Sequence, residues 1–155
     1  MDGHQLWLSE CENLGYKPEA RLYAEGTRTS QDAADQLGCD VAHIAKSIVF
    51  AGRDGAVVVI TSGSNRVDRK RKLKRALGYK PSMATPEYVL EATGYQIGGV
   101  PPFGHSKPVT VMMDEDLMQY DLVWGAGGTA QPVFPITPEN LLSLSGATVA
   151  DVKQG

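Results

Sequence analysis

Two segments of the chain combine residue types that can do chemistry without a cofactor. The first is Ile44-Ala45-Lys46-Ser47-Ile48-Val49-Phe50, a lysine inside a β-branched run. Strand alternation puts Lys46 on one face with apolar neighbours on both sides. An ammonium in that setting reaches out to water, pairs with a carboxylate, or acts on a bound substrate. The second segment is Gly94-Tyr95-Gln96-Ile97-Gly98-Gly99-Val100-Pro101-Pro102-Phe103-Gly104-His105. Gly98 and Gly99 permit positive φ and close backbone approach, whereas Pro101 and Pro102 fix φ near −65° and supply no amide hydrogen. The donors of this loop are therefore the amides of Gly98, Gly99 and Val100 before the prolines, and of Phe103 and Gly104 after them. Such donors can cradle a carbonyl oxygen or a phosphate, and the same composition also builds an ordinary rigid turn between strands. His105, just past the prolines, is a candidate for substrate contact or proton transfer, or a solvated loop histidine.

Other chemistries find no support. His4, His43 and His105 lack the spacing that brings two imidazoles to one metal, and Cys11 and Cys39 stand too far apart for a zinc site or a disulfide framework. There is no G-x-S-x-G elbow, no Walker loop and no dinucleotide fingerprint. A site without metal or cofactor is expected.

The length, 155 residues, suits one domain spanning 1–155, large enough to bury a core without crosslinks. The first residues include Asp2, Glu10 and Glu12 and no apolar run of signal-peptide length, and no stretch approaches a membrane span, so a cytoplasmic protein is expected. The net charge is −3, but Arg66, Arg69, Lys70, Arg71, Lys72, Lys74 and Arg75 crowd into ten residues with only Asp68 opposing them. That run is either a polyanion contact or a solvated face that keeps the protein dispersed.

The elements that must position these groups alternate along the chain. A first helix is expected up to Leu14, closed by Gly15, then a short strand at 21–24 and a polar loop at 25–28. Thr29 and Asp32 have capping-box spacing for a helix ended by Gly38, with Ala33, Ala34 and Leu37 as its buried stripe. Residues 43–50 and 56–61, joined by a 52–55 turn, read as a hairpin. Asp68 caps a helix through Leu77, terminated by Gly78, with Leu73, Ala76 and Leu77 inward and the cations outward. Thr85-Pro86-Glu87 and Thr137-Pro138-Glu139 each open a further helix, and 109–112, 122–124, 133–136 and 148–152 read as strands. The resulting class is α+β: a curved, mixed, largely antiparallel and barrel-like sheet surrounded by short helices.

Taken in order, these segments resemble the YbaK and prolyl-tRNA-synthetase-associated editing-domain family. The likeness runs through the 29–38 helix, the Lys46 strand, Gly63 followed by Asp68 and Leu73, residues 87–102, Val123-Trp124-Gly125-Ala126-Gly127-Gly128, and the closing 141–152. The resemblance implies a free-standing trans-editing hydrolase that deacylates tRNA carrying a small wrong amino acid (Ala, Cys, Ser or Thr), chiefly mischarged tRNA(Pro). Lys46 matches the family's required lysine, and Gly98 to Pro102 match its Gly-x-x-x-Pro motif. Lys46 and Gly99 are thus the catalytic candidates; Gly98, Gly99, Val100, Pro101, Pro102, His105 and Thr29 are the substrate-binding candidates. Arg69, Lys70, Arg71 and Lys74 are candidates for the acceptor-stem backbone. The implied partners are the acceptor end of mischarged tRNA and prolyl-tRNA synthetase, with no metal, no membrane and no DNA. The rival readings are a non-catalytic aminoacyl- or nucleotide-binding module, a synthetase accessory, and a hydrolase of free amino-acid esters.

Overall fold

The computed structural model describes residues 2–22 and 29–155. The end of the expected first strand, Tyr23 and Ala24, and the expected 25–28 loop lie outside the described residues.

Local capping chemistry starts each of the longer helices. Helix α1 (Gly3–Asn13) begins at Asp2, whose side chain accepts from the Gln5 amide while the Gln5 side chain accepts from the Asp2 amide. Helix α2 (Ser30–Leu37) has the expected Thr29 and Asp32 capping box and ends at Gly38 with φ 70°. The basic segment opens with a π-type turn, Arg69–Leu73, capped by Asp68, and continues as α3 (Lys74–Leu77). Thr85 and Thr137 cap α4 (Pro86–Thr93) and α5 (Pro138–Ser145), each with proline in the first turn. Short 3₁₀ turns at Val41–His43 and Glu115–Gln119 lead into and out of strands, so His43 belongs to a turn and not to the strand expected from it.

The strands are β1 (Arg21–Leu22), β2 (Ile44–Gly52), β3 (Gly55–Ser62), β4 (Ser82–Met83), β5 (Thr110–Asp114), β6 (Val123–Ala126), β7 (Pro132–Ile136) and β8 (Thr148–Ala150). They make one sheet ordered β1-β7-β6-β2-β3-β5-β8, with β4 pairing β2 off this path. β2 and β3 form the expected hairpin, in register from Ala45 opposite Ser62 to Gly52 opposite Gly55. Four of the strand pairings are antiparallel and three parallel, so the α+β class and the mixed sheet hold. The sheet is open, with β1 and β8 as its ends among the described residues.

Side-chain alternation sorts the core onto two faces. Ala45, Val49, Ile60, Val111 and Met113 join Trp7, Tyr95, Phe103 and Phe134 in the main cluster. Ile48, Phe50, Val57, Val59 and Met112 point the other way, onto Leu73 and Val152. On that same face of β2, Ile44 packs under α2 with Ala33 and Ala34. Lys46 therefore stands, half-buried, at the seam between two apolar clusters. Expected inward, Ala76 is instead exposed: the short basic helix offers the core only Leu73 and, four residues on, Leu77. A single i, i+4 pair suffices for a helix lying at the rim.

Candidate active site

A cleft of about 540 Å³ opens at this seam, with Lys46, Gly98 and Val100 in its wall together with Thr29, Gly63 and Trp124. Strand pairing explains why it exists. One edge of β2 is paired with β3 along its length. The other edge pairs with β6 only at Ile44 and Ala45 and with β4 only at Phe50 and Ala51. Between those contacts, residues 46–49 have no edge partner among the described residues, and the 97–100 loop stands across the gap. An unpaired edge is a row of backbone donors and acceptors available to a ligand.

Lys46 is half-buried, and among the described residues no carboxylate lies within ion-pair distance of it. Burial lowers its pKa from the ordinary lysine value, and the Arg66 guanidinium adds to the effect. Beside it the Ser47 hydroxyl is buried with no hydrogen-bond partner among the described residues. Its presence in the cleft wall was not foreseen from sequence, because strand alternation assigns it to the face opposite Lys46. With no edge partner at 46–49 among the described residues, both faces contribute.

The glycine-proline loop divides its labour. Gly98 has φ 88° and is exposed in the cleft. The Gly99 amide is taken, donating to the Gln96 carbonyl at 3.0 Å and closing the turn. Gly99 is instead required by close approach: a Cβ there would lie 2.6 Å from the Thr129 Cα. No acceptor pairs with the amides of Gly98 or Val100 among the described residues, so these two are the unspent donors. Pro101 and Pro102 are buried behind the loop and outside the cleft lining. Pro102 packs beside Gly125, where an added Cβ would stand 3.3 Å from the Pro102 Cδ and 2.9 Å from the Phe134 ring.

His105 is likewise outside the cleft lining. Its Nε2–H donates to the Pro101 carbonyl at 2.8 Å, and burial lowers its pKa below the ordinary 6.5. That contact ties the loop to itself. Thr29 does line the cleft, with its hydroxyl accepting from the Asp32 amide at 3.0 Å.

Helix α1 fastens both walls, a role the sequence did not disclose. Trp7 donates its indole N–H to the Phe103 carbonyl at 3.2 Å, and its ring packs on Phe134 with centroids 4.5 Å apart. One turn earlier, His4 donates from Nδ1 to the Gly127 carbonyl at 2.7 Å, and Gly3 packs against the Gly128 backbone. Tyr95 adds a bond from its hydroxyl to the Gly104 carbonyl at 2.6 Å. The 97–105 and 125–128 loops are thereby locked to one rigid element.

The cysteines stand apart from this chemistry: burial pushes the Cys11 thiol up to about 12 and raises that of Cys39, so both remain protonated near neutral pH. Among the described residues, no three His, Cys, Asp or Glu side chains gather as a metal site. Nor is any helix long and apolar enough to cross a membrane.

The fold and these groups define a class of domain in which a lysine ammonium and backbone amides unpaired among the described residues face a strand edge. The chain belongs to the aminoacyl-tRNA editing domain family, whose model matches residues 24–144. It is 26% identical over 146 residues to the Enterococcus faecalis protein named "Putative Cys-tRNA(Pro)/Cys-tRNA(Cys) deacylase EbsC", covering 94% of this chain and 89% of that one. A stretch of the proline–tRNA ligase of Thermosipho melanesiensis is 37% identical over 102 residues, 65% of this chain and 18% of the ligase. Among solved structures, one described as "a putative trans-editing enzyme for prolyl tRNA synthetase" superposes with TM-score 0.92 at 43% identity, covering 100% of this chain and 99% of that one. The expected family and its editing-deacylase class are thereby established.

Proposed function

We propose that this editing domain hydrolyses the ester of a small non-cognate amino acid on tRNA, acting in trans on tRNA(Pro) in the cytoplasm, with the whole chain as one unit. The observation that carries the reading is the Lys46 ammonium, with no carboxylate partner among the described residues, in one cleft with the Gly98 and Val100 amides that likewise find no acceptor among them. An aminoacyl ester is already activated, so positioning and charge stabilisation suffice. Water attacks the ester carbonyl, its oxygen becomes an oxyanion near Lys46 and the loop amides, and the carbon–oxygen bond to the ribose breaks. The ribose oxygen takes the proton, and the free amino acid leaves.

Specificity follows from exclusion. Gly98, Gly125, Ala45 and Ala126 give the wall little side-chain bulk, but Ile44, Val100 and Val133 close around it. A large side chain clashes with such walls, while one methylene more or less in an apolar pocket discriminates by only about 1–3 kcal/mol. Alanine, cysteine, serine and threonine esters fit this description, and the names of EbsC and of the structural neighbour favour tRNA(Pro). The exposed cations Lys70, Arg71 and Lys74 supply an acceptor-stem contact. Arg69 contributes less, since its guanidinium is taken by the Pro81 carbonyl at 3.0 Å.

The test is a panel of tRNAs mischarged with labelled amino acids. Release from one or a few small-residue esters, and from tRNA(Pro) above other tRNAs, is expected. Binding without release identifies a non-catalytic module instead.

A further inference from the structure

Folding splits the basic run. Arg69 is spent on the Pro81 carbonyl, and Lys72 is spent on Asp151 at 2.9 Å and on the Gly155 carbonyl. Arg66 is exposed, and among the described residues no carboxylate lies within ion-pair distance of it. It also marks the cleft end of the run, since Gly63, three residues before it, forms part of the cleft wall.

The loop that carries Arg66 is fixed at several points. The Ser62 amide and the Asn65 side-chain amide donate to the Asp114 carboxylate at 3.1 and 2.8 Å, and Asn65 reaches Asp116 at 2.9 Å. The Arg66 carbonyl accepts from the Gln154 amide at 2.8 Å. The backbone is therefore held in place three residues from the cleft wall at Gly63, and the exposed guanidinium is the part left to move. It is near enough to Lys46 to oppose that ammonium's charge. Two cations so placed repel each other until an anion neutralises one of them.

We propose that Arg66 binds a phosphate at the cleft mouth, the phosphodiester joining the last two nucleotides of an RNA 3′ end, and so leaves Lys46 to the ester carbonyl. This rests on the deacylase reading above. In a terminal nucleotide the 5′ phosphate lies one ribose away from the ester, so a single substrate meets both cations. The planar guanidinium fork matches phosphate oxygens in a way an ammonium does not.

The experiment compares binding of an uncharged oligoribonucleotide with a 3′ CCA end to the wild type, Arg66→Ala and Arg66→Lys across a salt titration, with adenosine as the phosphate-free control. Arg66→Ala is expected to bind the oligonucleotide roughly tenfold more weakly at low salt. Its slope of log K against log salt should be shallower by about 0.7, with partial recovery in Arg66→Lys. Equal affinity and slope in wild type and Arg66→Ala overturns the proposal, as does an equal loss for adenosine, which marks a distorted cleft. Ester release by the wild type is read separately: its absence sinks the deacylase reading, while the oligonucleotide affinities, their salt slopes and the adenosine control decide Arg66.

Discussion

Lys46 and Asp114 are both ionisable groups drawn into the fold by the strands on either side of β3, yet the protein treats them in opposite ways. Asp114 is fully buried and accepts from the Thr61 hydroxyl, the Ser62 amide, the Asn65 side chain and the Asp116 amide, at 2.8 to 3.1 Å. Lys46 has no such company among the described residues. One cross-strand pair joins the two groups, because Thr61 stands opposite Lys46 in the hairpin. A buried charge whose bonding capacity is filled organises structure, and one left unfilled holds energy for a ligand to release. The carboxylate builds the loop wall, and the ammonium faces the substrate.

If this contrast is right, removing either charge should damage a different property. Lys46→Ala is expected to slow deacylation by roughly a hundredfold to a thousandfold, about 2.7–4 kcal/mol of barrier, while keeping the melting temperature. Single-turnover release of amino acid reads this, and near-normal release abolishes the assignment. Asp114→Ala leaves several buried donors without an acceptor and should cost about 3 kcal/mol of stability. At roughly 2–4 °C per kcal/mol for a chain of this size, calorimetry should find a drop near 9 °C.

Gly99→Ala sharpens the comparison by moving the opposite wall. The added methyl meets the Thr129 backbone, which cannot rotate away as a side chain would, so a loss of about 1–3 kcal/mol is expected together with slower release. A variant of wild-type stability would show that the two loops are not tightly apposed. Reversing Lys70, Arg71 and Lys74 to glutamate should raise KM for charged tRNA and flatten its salt dependence, with little change in melting temperature. An unchanged KM at low salt removes the helix from the interface.

The smallest effect concerns His105. Its folded pKa lies below the ordinary 6.5, so as pH falls through that value the unfolded chain takes up a proton before the folded one does. Its contribution to stability is therefore complete above 6.5 and declines as pH falls further. His105→Gln should lessen the pH dependence of denaturant unfolding on the acid side. An unaltered acid limb means that His105 titrates normally.

Helix starts and stops were legible in the sequence because capping is local chemistry. Thr29 with Asp32, and Thr85 and Thr137 before proline, each act within one turn of the chain. The β2–β3 hairpin was legible for the same reason. Strand limits drifted: the strand expected at 122–124 is Val123–Ala126, and β4 was not anticipated, since two residues carry no period. Ala76 was misassigned because periodicity gives a helix's spacing but not how wide a stripe the neighbouring core will cover.

By its own pattern, the sequence determined the residue types at the cleft: an ammonium in a strand and a loop with few amide donors, because composition and covalent geometry set what each can offer. Only the tertiary structure decided which of those donors stayed free. Gly99 lost its amide to Gln96 while Gly98 and Val100 kept theirs, and Arg69 and Lys72 were consumed while Arg66 was spared. Each outcome depends on partners distant in sequence or on the exact closure of a turn, and on the gap left along β2 where β6 and β4 both fall short.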